Sequence, residues 1–400
     1  MFHRGQTHVL QVLPALDSGG VERGAIDIAL ALQAAGAVPL VVSRGGAMVH
    51  ELERARIEHI AWPVHSKNPF VMRRNVDRLA RLILERGVAL VHARSRAPAW
   101  SAFAAASRTG VPFLTTFHGT YALGPWAIKK PYNAVMTHGN KIIAISNFIA
   151  SHIQTVYDAD PERIRVIPRG VDLKQFDPAT LHPNRLIALA GAWRLPEDRP
   201  LILLPGRLTR WKGHEILIEA LVRLGRRDVC CLLVGADQGR TRYRAELMQK
   251  IRDAGLQDVV HIAGPCSDMP AAYMLTDVVV SASLEPEAFG RVAVEAQAMG
   301  RPVIATDHGG SRETIIANET GWLVPPGDAE ALSHGLARLL ALTPETRQAL
   351  ALRQRVHVQA HFSREDMCAH TLAVYREVLT EHALGIRNEN GIYGDVGGGG

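Results

Sequence analysis

Two glutamates eight residues apart, Glu287 and Glu295, are the most informative candidates for chemistry in this chain. The apolar run before them predicts a strand, and residues 291–299 predict a helix, with Gly290 in the loop between. Backbone N–H groups are unpaired at such a helix start and favour anions and hydroxyls. Two carboxylates at this point can hold the hydroxyls of one sugar ligand. The alternative is a charged helix entry stabilised by the helix dipole.

A second candidate loop, which follows the predicted strand 201–204, carries two cations. Arg207 and Lys212 stand five residues apart, and Gly206 and Gly213 flank them. An arginine offers a planar donor fork and a lysine a mobile point charge, so the pair suits a diphosphate. The spacing of a Walker A loop is absent, because Lys212 precedes its glycine and no Ser or Thr follows. The alternative is two solvated loop cations.

Two further candidates lie in the first half of the chain. Gly19 and Gly20 follow the first predicted strand and open a helix, where the backbone can approach an anion closely. The spacing is not that of the dinucleotide fingerprint, and a tight strand-to-helix turn explains it equally well. His118 follows the predicted strand 112–117, where it can donate to a sugar hydroxyl or stabilise developing charge. A lone histidine can also be merely structural.

Short apolar runs alternate with amphipathic helical patterns, and this alternation starts again halfway along the chain. The predicted strands are residues 9–14, 39–43, 59–64, 89–93, 112–117 and 141–145, then 201–204, 229–234, 259–263, 278–281 and 303–305. Alternation of this kind favours parallel sheets covered by helices on both faces. We therefore predict an α/β protein with two doubly wound, Rossmann-like domains facing an interdomain cleft, with ligands at the strands' carboxyl ends.

The predicted domain boundaries follow the clusters of turn-forming residues. The first domain is expected to span residues 1–182 and the second residues 183–362. A helix over residues 363–384 is expected to cross back to the first domain. The polar, glycine-rich residues 385–400 predict a disordered tail.

The composition is that of a soluble enzyme with an uneven charge. Of the residues, 47% are hydrophobic and 21% charged, and no apolar run is long enough to span a membrane. Four cysteines without a C-x-x-C pair predict reduced thiols in the cytoplasm. Residues 1–182 hold 21 Lys and Arg against 13 Asp and Glu, a charge of +8 that leaves −2 for the remainder. This asymmetry favours an anionic surface or partner for the first half, although a solvated basic face explains it as well. No nucleic-acid motif is present.

Together these segments resemble glycosyltransferase family 4, whose members have the GT-B fold. The matching pieces are Gly19, Gly20 and Glu22; His118 and Gly119; residues 144–146; residues 168–172; Gly206, Arg207, Lys212 and Gly213; Glu287 and Glu295; Gly300, Pro302 and Val303; and Gly309, Gly310 and Glu313. Their order and spacing make the match specific over residues 9–325. The chain departs from the pattern at Arg169, where many relatives carry Asn.

The resemblance implies that the first domain, residues 1–182, lies on the acceptor side and that the second, residues 183–362, binds the nucleotide sugar. It also assigns roles to individual residues. It implies that Arg207 and Lys212 bind the donor diphosphate, that Glu295 binds the ribose, and that Gly19 and Gly20 border the diphosphate. It also implies that His118 contacts the donor sugar near the reacting centre. Glu287 would hold the donor sugar together with three backbone N–H groups, those of Ala288, Phe289 and Gly290. On this basis His118, Glu287, Arg207 and Lys212 are the predicted catalytic residues.

The resemblance further implies transfer of a hexose, with retention of configuration, from a nucleotide-diphosphate sugar to a glycan or glycolipid acceptor. No cofactor and no metal are expected, and the sequence has no D-x-D carboxylate pair. The basic first half, with four arginines over residues 73–81 and a Lys129–Lys130 pair, favours an anionic membrane surface as a partner. We therefore expect a peripheral enzyme at the inner face of the cytoplasmic membrane that builds lipopolysaccharide or a similar glycan.

Two other classes of protein remain open at this stage. A nucleotide-sugar 2-epimerase has the same two-domain architecture and acts without an acceptor. A catalytically silent nucleotide-sugar-binding protein is the other alternative, although the complete set of Arg207, Lys212, Glu287 and Glu295 disfavours it. A dehydrogenase is disfavoured because the glycine fingerprint is absent.

Overall fold

The computed structural model describes residues 7–17 and 19–392. The chain forms two compact units. The first contains the described residues up to 168 together with residues 365–392, and the second contains residues 169–364. The structure therefore divides the chain at 168/169, earlier than the 182/183 suggested by the turn-forming residues. The reason is local pairing, since the Val171 N–H donates to the Phe362 carbonyl at 2.9 Å and Asp172 pairs with Arg364.

The first unit is a seven-stranded sheet in the order β3-β2-β1-β4-β5-β6-β7. All of its strand pairs are parallel. The strands are β1 (His8–Val12), β2 (Val38–Ser43), β3 (Glu58–Ala61), β4 (Val88–Ala93), β5 (Phe113–Phe117), β6 (Lys141–Ala144) and β7 (Ile164–Val166). The helices are α1 (Gly20–Ala34), α2 (Val49–Arg54), α3 (Pro69–Arg86), α4 (Arg96–Thr109), α5 (Lys130–Asn133) and α6 (Asn147–Tyr157).

The second unit has the same design around a six-stranded parallel sheet in the order β10-β9-β8-β11-β12-β13. Its strands are β8 (Leu201–Pro205), β9 (Cys230–Val234), β10 (Val260–Gly264), β11 (Val278–Ser281), β12 (Val303–Thr306) and β13 (Trp322–Val324). Its helices are α7 (Pro183–Trp193), α8 (His214–Leu224), α9 (Thr241–Asp253), α10 (Met269–Met274), α11 (Arg291–Ala298), α12 (Ser311–Thr314), α13 (Ala329–Leu340) and α14 (Pro344–His361). The two predicted parallel-sheet α/β domains are thus confirmed.

The last helix, α15 (Arg364–Ile392), packs in the first unit. Met367, Leu372 and Tyr375 join Val9 and Leu90 in one buried cluster. The predicted tail of residues 385–400 begins inside this helix, and its residues 393–400 lie outside the described residues.

Local sequence explains where helices of the first unit begin and end, as α3 illustrates. Asn68 caps α3 by accepting from the N–H groups of Phe70 and Val71, and Pro69 occupies the first helical position. Gly87 ends the helix in the left-handed conformation, at φ 57°. In every strand–helix unit of this kind the helix starts at the carboxyl end of its strand, which is where the predicted site residues lie.

Candidate functional site

The centre of the candidate site in the second unit is an ion pair between Lys212 and Glu287. The Lys212 Nζ lies 2.5 Å from Glu287 Oε1, and the two side chains are only 14% and 15% exposed. Ser283, two residues after the end of β11, donates from its hydroxyl to the same carboxylate oxygen at 2.6 Å. The ammonium also lies 4.3 Å from the centroid of the Trp211 ring. The structure thus brings together two residues that are 75 positions apart in the sequence.

Close backbone contact fixes the two loops that carry this pair. The Leu284 N–H donates to the Trp211 carbonyl at 2.6 Å. Gly213 adopts φ 71°, and a Cβ at this position would stand 1.8 Å from the Ala282 carbonyl oxygen. Only glycine fits such an approach. The loop after β8 and the loop after β11 are therefore held as one body, which preorganises the Lys212 ammonium and the Glu287 carboxylate.

Arg207 lies at the start of the same loop and behaves differently. Its side chain is exposed. Within the described residues it forms no ion pair, and its carbonyl accepts from the Thr209 N–H at 2.7 Å. An exposed guanidinium near a partly buried ammonium leaves five donors open for an anion.

Glu295 lies on α11 and is buried, at 6% exposure. Its Oε2 accepts from the Tyr273 hydroxyl at 2.9 Å, and its Oε1 accepts from Arg291 Nε at 2.5 Å. Burial, together with the neighbouring Glu295 charge, raises the pKa of Tyr273 well above its usual value. Arg291 is exposed and is the first residue of α11, four residues before Glu295. The Glu295 oxygen that it binds therefore points toward the start of α11.

The segment between the two glutamates forms the start of α11. Gly290 caps the helix in the left-handed region, at φ 91°. Phe289 is 6% exposed and packs edge-on against Phe362, with ring centroids 5.6 Å apart. The Glu287 carbonyl accepts from the Gly310 N–H at 2.7 Å, so the glycine-rich loop after β12 supports this turn from behind. The backbone of Ala288, Phe289 and Gly290 is thereby placed at a helix start, beside Glu287.

The candidate residues of the first unit stand at the ends of two central strands. Gly19 caps α1. A Cβ at this position would stand 2.6 Å from a carboxylate oxygen of Glu22. This loop also packs on the loop after β2, since the Met48 N–H donates to the Leu16 carbonyl at 2.7 Å. Gly20 begins α1. A compact, glycine-containing helix start results.

His118 directly follows β5 and is partly buried. Its backbone hydrogen-bonds with the Tyr121 hydroxyl, and burial raises the pKa of Tyr121 to about 12. The guanidinium of Arg96 lies 4.3 Å from the centroid of the Tyr121 ring. The environment of His118 is therefore cationic and aromatic.

A buried polar cluster lies beneath these strand ends. The side chains of His92 and Arg94, from β4 and the residue just after it, are almost fully buried. His92 Nδ1 lies 2.6 Å from the Tyr375 hydroxyl, and Arg94 Nε donates to Gln11 at 2.8 Å. Desolvation lowers the pKa of His92 well below its usual value and also lowers that of Arg94. This cluster ties α15 to the middle of the first sheet.

Several of these partners carry no sequence signal. Ser283, Tyr273 and Trp211 were not predicted, because no motif spacing distinguishes them. Arg96 and Tyr121 were missed for the same reason. Only the strand-end position of Ser283 could have pointed to it.

The described residues contain no group of three or more His, Cys, Asp or Glu side chains arranged to hold a metal ion. Among the helices that the structure describes, none combines the length and apolarity needed to cross a membrane.

Comparison with known families gives two matches, one in each half of the chain. The family described as "Glycosyltransferase Family 4" matches residues 18–175, and "Glycosyl transferases group 1" matches residues 189–356.

Curated relatives of this chain are enzymes named D-inositol 3-phosphate glycosyltransferase. The protein from Xylanimonas cellulosilytica is 34% identical over 251 residues, which are 59% of this chain and 60% of that protein. The protein from Frankia alni is 32% identical over 305 residues, 71% of this chain and 73% of that protein. The match thus spans less than two thirds of the first relative and more than two thirds of the second.

Solved structures extend the similarity to nearly the whole chain. A glycosyltransferase from Rickettsia africae is 42% identical, with a TM-score of 0.86 over 94% of this chain and 99% of that one. Anabaena HepE in complex with UDP-glucose is 24% identical, with a TM-score of 0.79 over 92% and 99%. WaaG, a glycosyltransferase involved in lipopolysaccharide biosynthesis, is 20% identical, with a TM-score of 0.71 over 90% and 98%. The last two share the GT-B fold with this chain.

Proposed function

Because the chain belongs to glycosyltransferase family 4, we propose that it moves a hexose from a nucleotide-diphosphate sugar to a phosphorylated acceptor, with retention of configuration. The observation that carries this proposal is the cluster of Lys212, Glu287 and Ser283 beside the exposed Arg207. This cluster offers two cations for a diphosphate and one carboxylate for sugar hydroxyls.

The ion pair suggests how a donor would bind. A diphosphate carries more charge than one carboxylate, so it competes with Glu287 for the Lys212 ammonium. Glu287 would then be released to accept hydrogen bonds from the sugar hydroxyls, with Ser283 still holding it in place. Glu295, fixed by Tyr273, would accept from the ribose hydroxyls.

The chemical step loads charge on the leaving group. As the anomeric C–O bond breaks, its electron pair goes to the diphosphate, and Arg207 and Lys212 stabilise that charge by electrostatic preorganisation. The acceptor oxygen attacks from the same face, and its proton passes to a phosphate oxygen of the leaving diphosphate. His118 would lie near the reacting centre. A trapped glycosyl-enzyme adduct would contradict this scheme, because it would require a carboxylate nucleophile.

The class of acceptor is supported by charge. The first half carries +8, and the relatives' name includes a phosphorylated polyol. A small inositol phosphate and a phosphorylated glycolipid of the cell envelope share this chemistry, and the second would place the protein at the inner face of the cytoplasmic membrane. Synthesis of lipopolysaccharide in particular stays a prediction.

The test is a panel of nucleotide sugars, UDP-glucose among them, scored for release of nucleoside diphosphate. Each donor is offered with inositol 3-phosphate, with vesicles containing a phosphorylated glycolipid, and with no acceptor. Release with one donor and one acceptor, lost in Arg207→Ala, would support the proposal and identify both substrates. A new free nucleotide sugar formed without acceptor would indicate an epimerase instead. Thermal stabilisation by a donor without turnover on any acceptor would indicate a binding protein.

A further inference from the structure

An aromatic and basic region of the first unit exposes large apolar side chains for which the proposed function gives no role. Trp126 is fully exposed, Phe70 is 85% exposed and Ile128 is 75% exposed. Large apolar side chains that stand free in water cost free energy unless a partner covers them. We define the tip as residues 123–130, which follow β5 and end at the first residue of α5.

The tip is built to project its side chains. The Lys129 N–H donates to the Leu123 carbonyl at 2.9 Å, which closes the loop at its base. Trp126 and Ala127 both adopt positive φ, at 52° and 54°, a conformation that residues other than glycine rarely show. Below the base, the Asn133 side chain donates to the Ala122 carbonyl at 3.4 Å and accepts from Arg96 Nη1 at 2.9 Å. The protrusion is therefore anchored.

The tip and the start of α3 lie along the same rim. Helix α4 packs against α3, and Ser101 donates to the Met72 carbonyl at 3.2 Å. On its other side, Trp100 donates to the Tyr132 carbonyl at 3.1 Å and stacks on that ring. All three segments begin at the carboxyl ends of parallel strands. Phe70 and Trp126 therefore flank one helix at the edge that carries Gly19 and His118.

The tip and the segments next to it in the sequence carry charge of one sign. No Asp or Glu occurs anywhere from residue 86 to residue 157, while this stretch contains seven Lys and Arg. Four exposed cations border the apolar side chains, and none of them forms an ion pair within residues 7–17 and 19–392: Arg73, Arg74, Lys129 and Lys130. Apolar side chains flanked by unpaired cations match the boundary between hydrocarbon and anionic headgroups.

From this surface we propose that the tip and the first turns of α3 dock on an anionic lipid bilayer, with Trp126, Ile128 and Phe70 inserted among the lipids. Nucleic acid would leave the aliphatic Ile128 uncovered, whereas a bilayer satisfies both the apolar and the basic parts. The tip begins five residues after His118, whose backbone is bonded to Tyr121 at the base of the loop. Docking would present a lipid-linked acceptor at this rim. In that respect the inference rests on the proposed function and selects the glycolipid over the free polyol.

The first experiment is flotation of the full chain with vesicles of phosphatidylcholine alone or mixed with phosphatidylglycerol. We expect binding only to the anionic vesicles, weakened by salt. The double variant Trp126→Ser/Ile128→Ser should bind about ten-fold less tightly or worse, because it removes the inserted apolar area. Lys129→Ser/Lys130→Ser should lose about five-fold per cation. The matched control is Leu84→Ser. Leu84 lies at the far end of α3 and is 70% exposed, so its substitution should leave vesicle binding unchanged.

A second measurement uses the wild type and one conservative variant, so its result does not depend on the folding of the double variant. Lipids brominated on their acyl chains quench tryptophans within the bilayer, so the wild-type fluorescence should fall with anionic brominated vesicles. Most of that quenching should vanish in Trp126→Phe. Quenching that is unchanged in this variant would overturn the assignment of the tip. So would vesicle binding that Trp126→Ser/Ile128→Ser leaves intact.

Other outcomes separate this inference from the proposed function. If the wild type ignores anionic vesicles but forms dimers that the double variant abolishes, the surface binds a second copy and the inference is wrong. If nucleoside diphosphate is released while the wild type ignores vesicles, only this inference fails. If vesicles are bound through the tip but no donor is turned over, only the proposed function fails.

Discussion

The two units have the same architecture but treat charge at their strand ends in opposite ways. In the second unit, Lys212 pairs with Glu287 and Arg291 with Glu295, so a cation neutralises each of the two candidate carboxylates. In the first unit, the rim segments between residues 86 and 157 carry a histidine and cations without any carboxylate, whereas Glu22 lies beside Gly19. A balanced cluster is a preorganised site for one defined ligand, whereas an unbalanced rim attracts an extended anionic surface.

The largest expected effect comes from removing the Lys212 cation of the charge-balanced cluster in the second unit. Lys212→Ala should lower the rate of nucleoside diphosphate release by a factor on the order of 10²–10³, since a fixed donor to the leaving group is lost. Steady-state kinetics with the active donor would measure it. Arg210→Ala is the matched control, because Arg210 is exposed in the same loop and pairs with Glu215 and Glu246. A comparable loss in the control would show that the effect is only local charge.

The close approach of the two loops in the second unit gives a stability prediction. Gly213→Ala would drive a methyl group into the Ala282 carbonyl and should lower the free energy of unfolding by about 3 kcal/mol or more. Gly225→Ala has a similar φ, 68°, with open space around it, and should cost only about 1 kcal/mol. Urea unfolding of both variants measures the difference. Equal losses would mean that backbone strain alone, and not the loop contact, explains the glycine.

The buried histidines of the two units can be compared by pH. Burial lowers the pKa of His214 to about 4, whereas the unfolded chain takes up the proton near pH 6.5. The unfolded state therefore binds more protons between these values, and stability should fall as the pH drops from 6.5 to 4, by up to about 3 kcal/mol. His92 in the first unit has a lowered pKa for the same reason.

The check is the free energy of unfolding against pH for the wild type and His214→Gln. Carboxylates contribute equally to both curves, so the difference isolates His214. Parallel curves over this range would show that His214 is not held neutral by the fold.

A pair of tyrosines gives the smallest expected effects. Tyr375→Phe removes the hydroxyl that bonds to His92 at 2.6 Å, and it should destabilise the first unit by about 1–3 kcal/mol. Tyr243→Phe in the second unit should change stability by less than about 0.5 kcal/mol, because in the described part of the chain its hydroxyl has no hydrogen-bond partner. Thermal unfolding of the two variants compares them directly. A larger loss of stability in Tyr243→Phe than in Tyr375→Phe would contradict this prediction.

Most of the fold was predictable from the sequence, and the elements that were not predicted have local physical reasons. Short apolar runs that alternate with helical patterns predict eleven strands, each of which overlaps an observed one. The two missed strands, β7 and β13, are three residues long and lie at sheet edges, where a short run shows no period. The sequence does not predict helix α7 either, because Pro183 ends a cluster of turn-forming residues, whereas in the structure it occupies the first position of the helix.

The candidate site was predictable as residue types but not as contacts. The sequence indicated Arg207, Lys212, Glu287 and Glu295 through loop position and spacing, and their roles stay predictions until the variants are measured. Nothing in the sequence indicated that Tyr273 would hold Glu295 or that Lys212 would reach Glu287. These contacts join residues 22 and 75 positions apart, which local patterns do not report.

By itself, the sequence determined the α/β class, the repeated parallel design, the family and the basic first half, because periodicity, motif order and charge are properties of the chain. Only the tertiary structure decided which charges neutralise each other, that α15 packs in the first unit, and that Trp126 stands in water beside unpaired cations. The physical reason is that burial and pairing depend on distances between segments, and folding alone sets those distances.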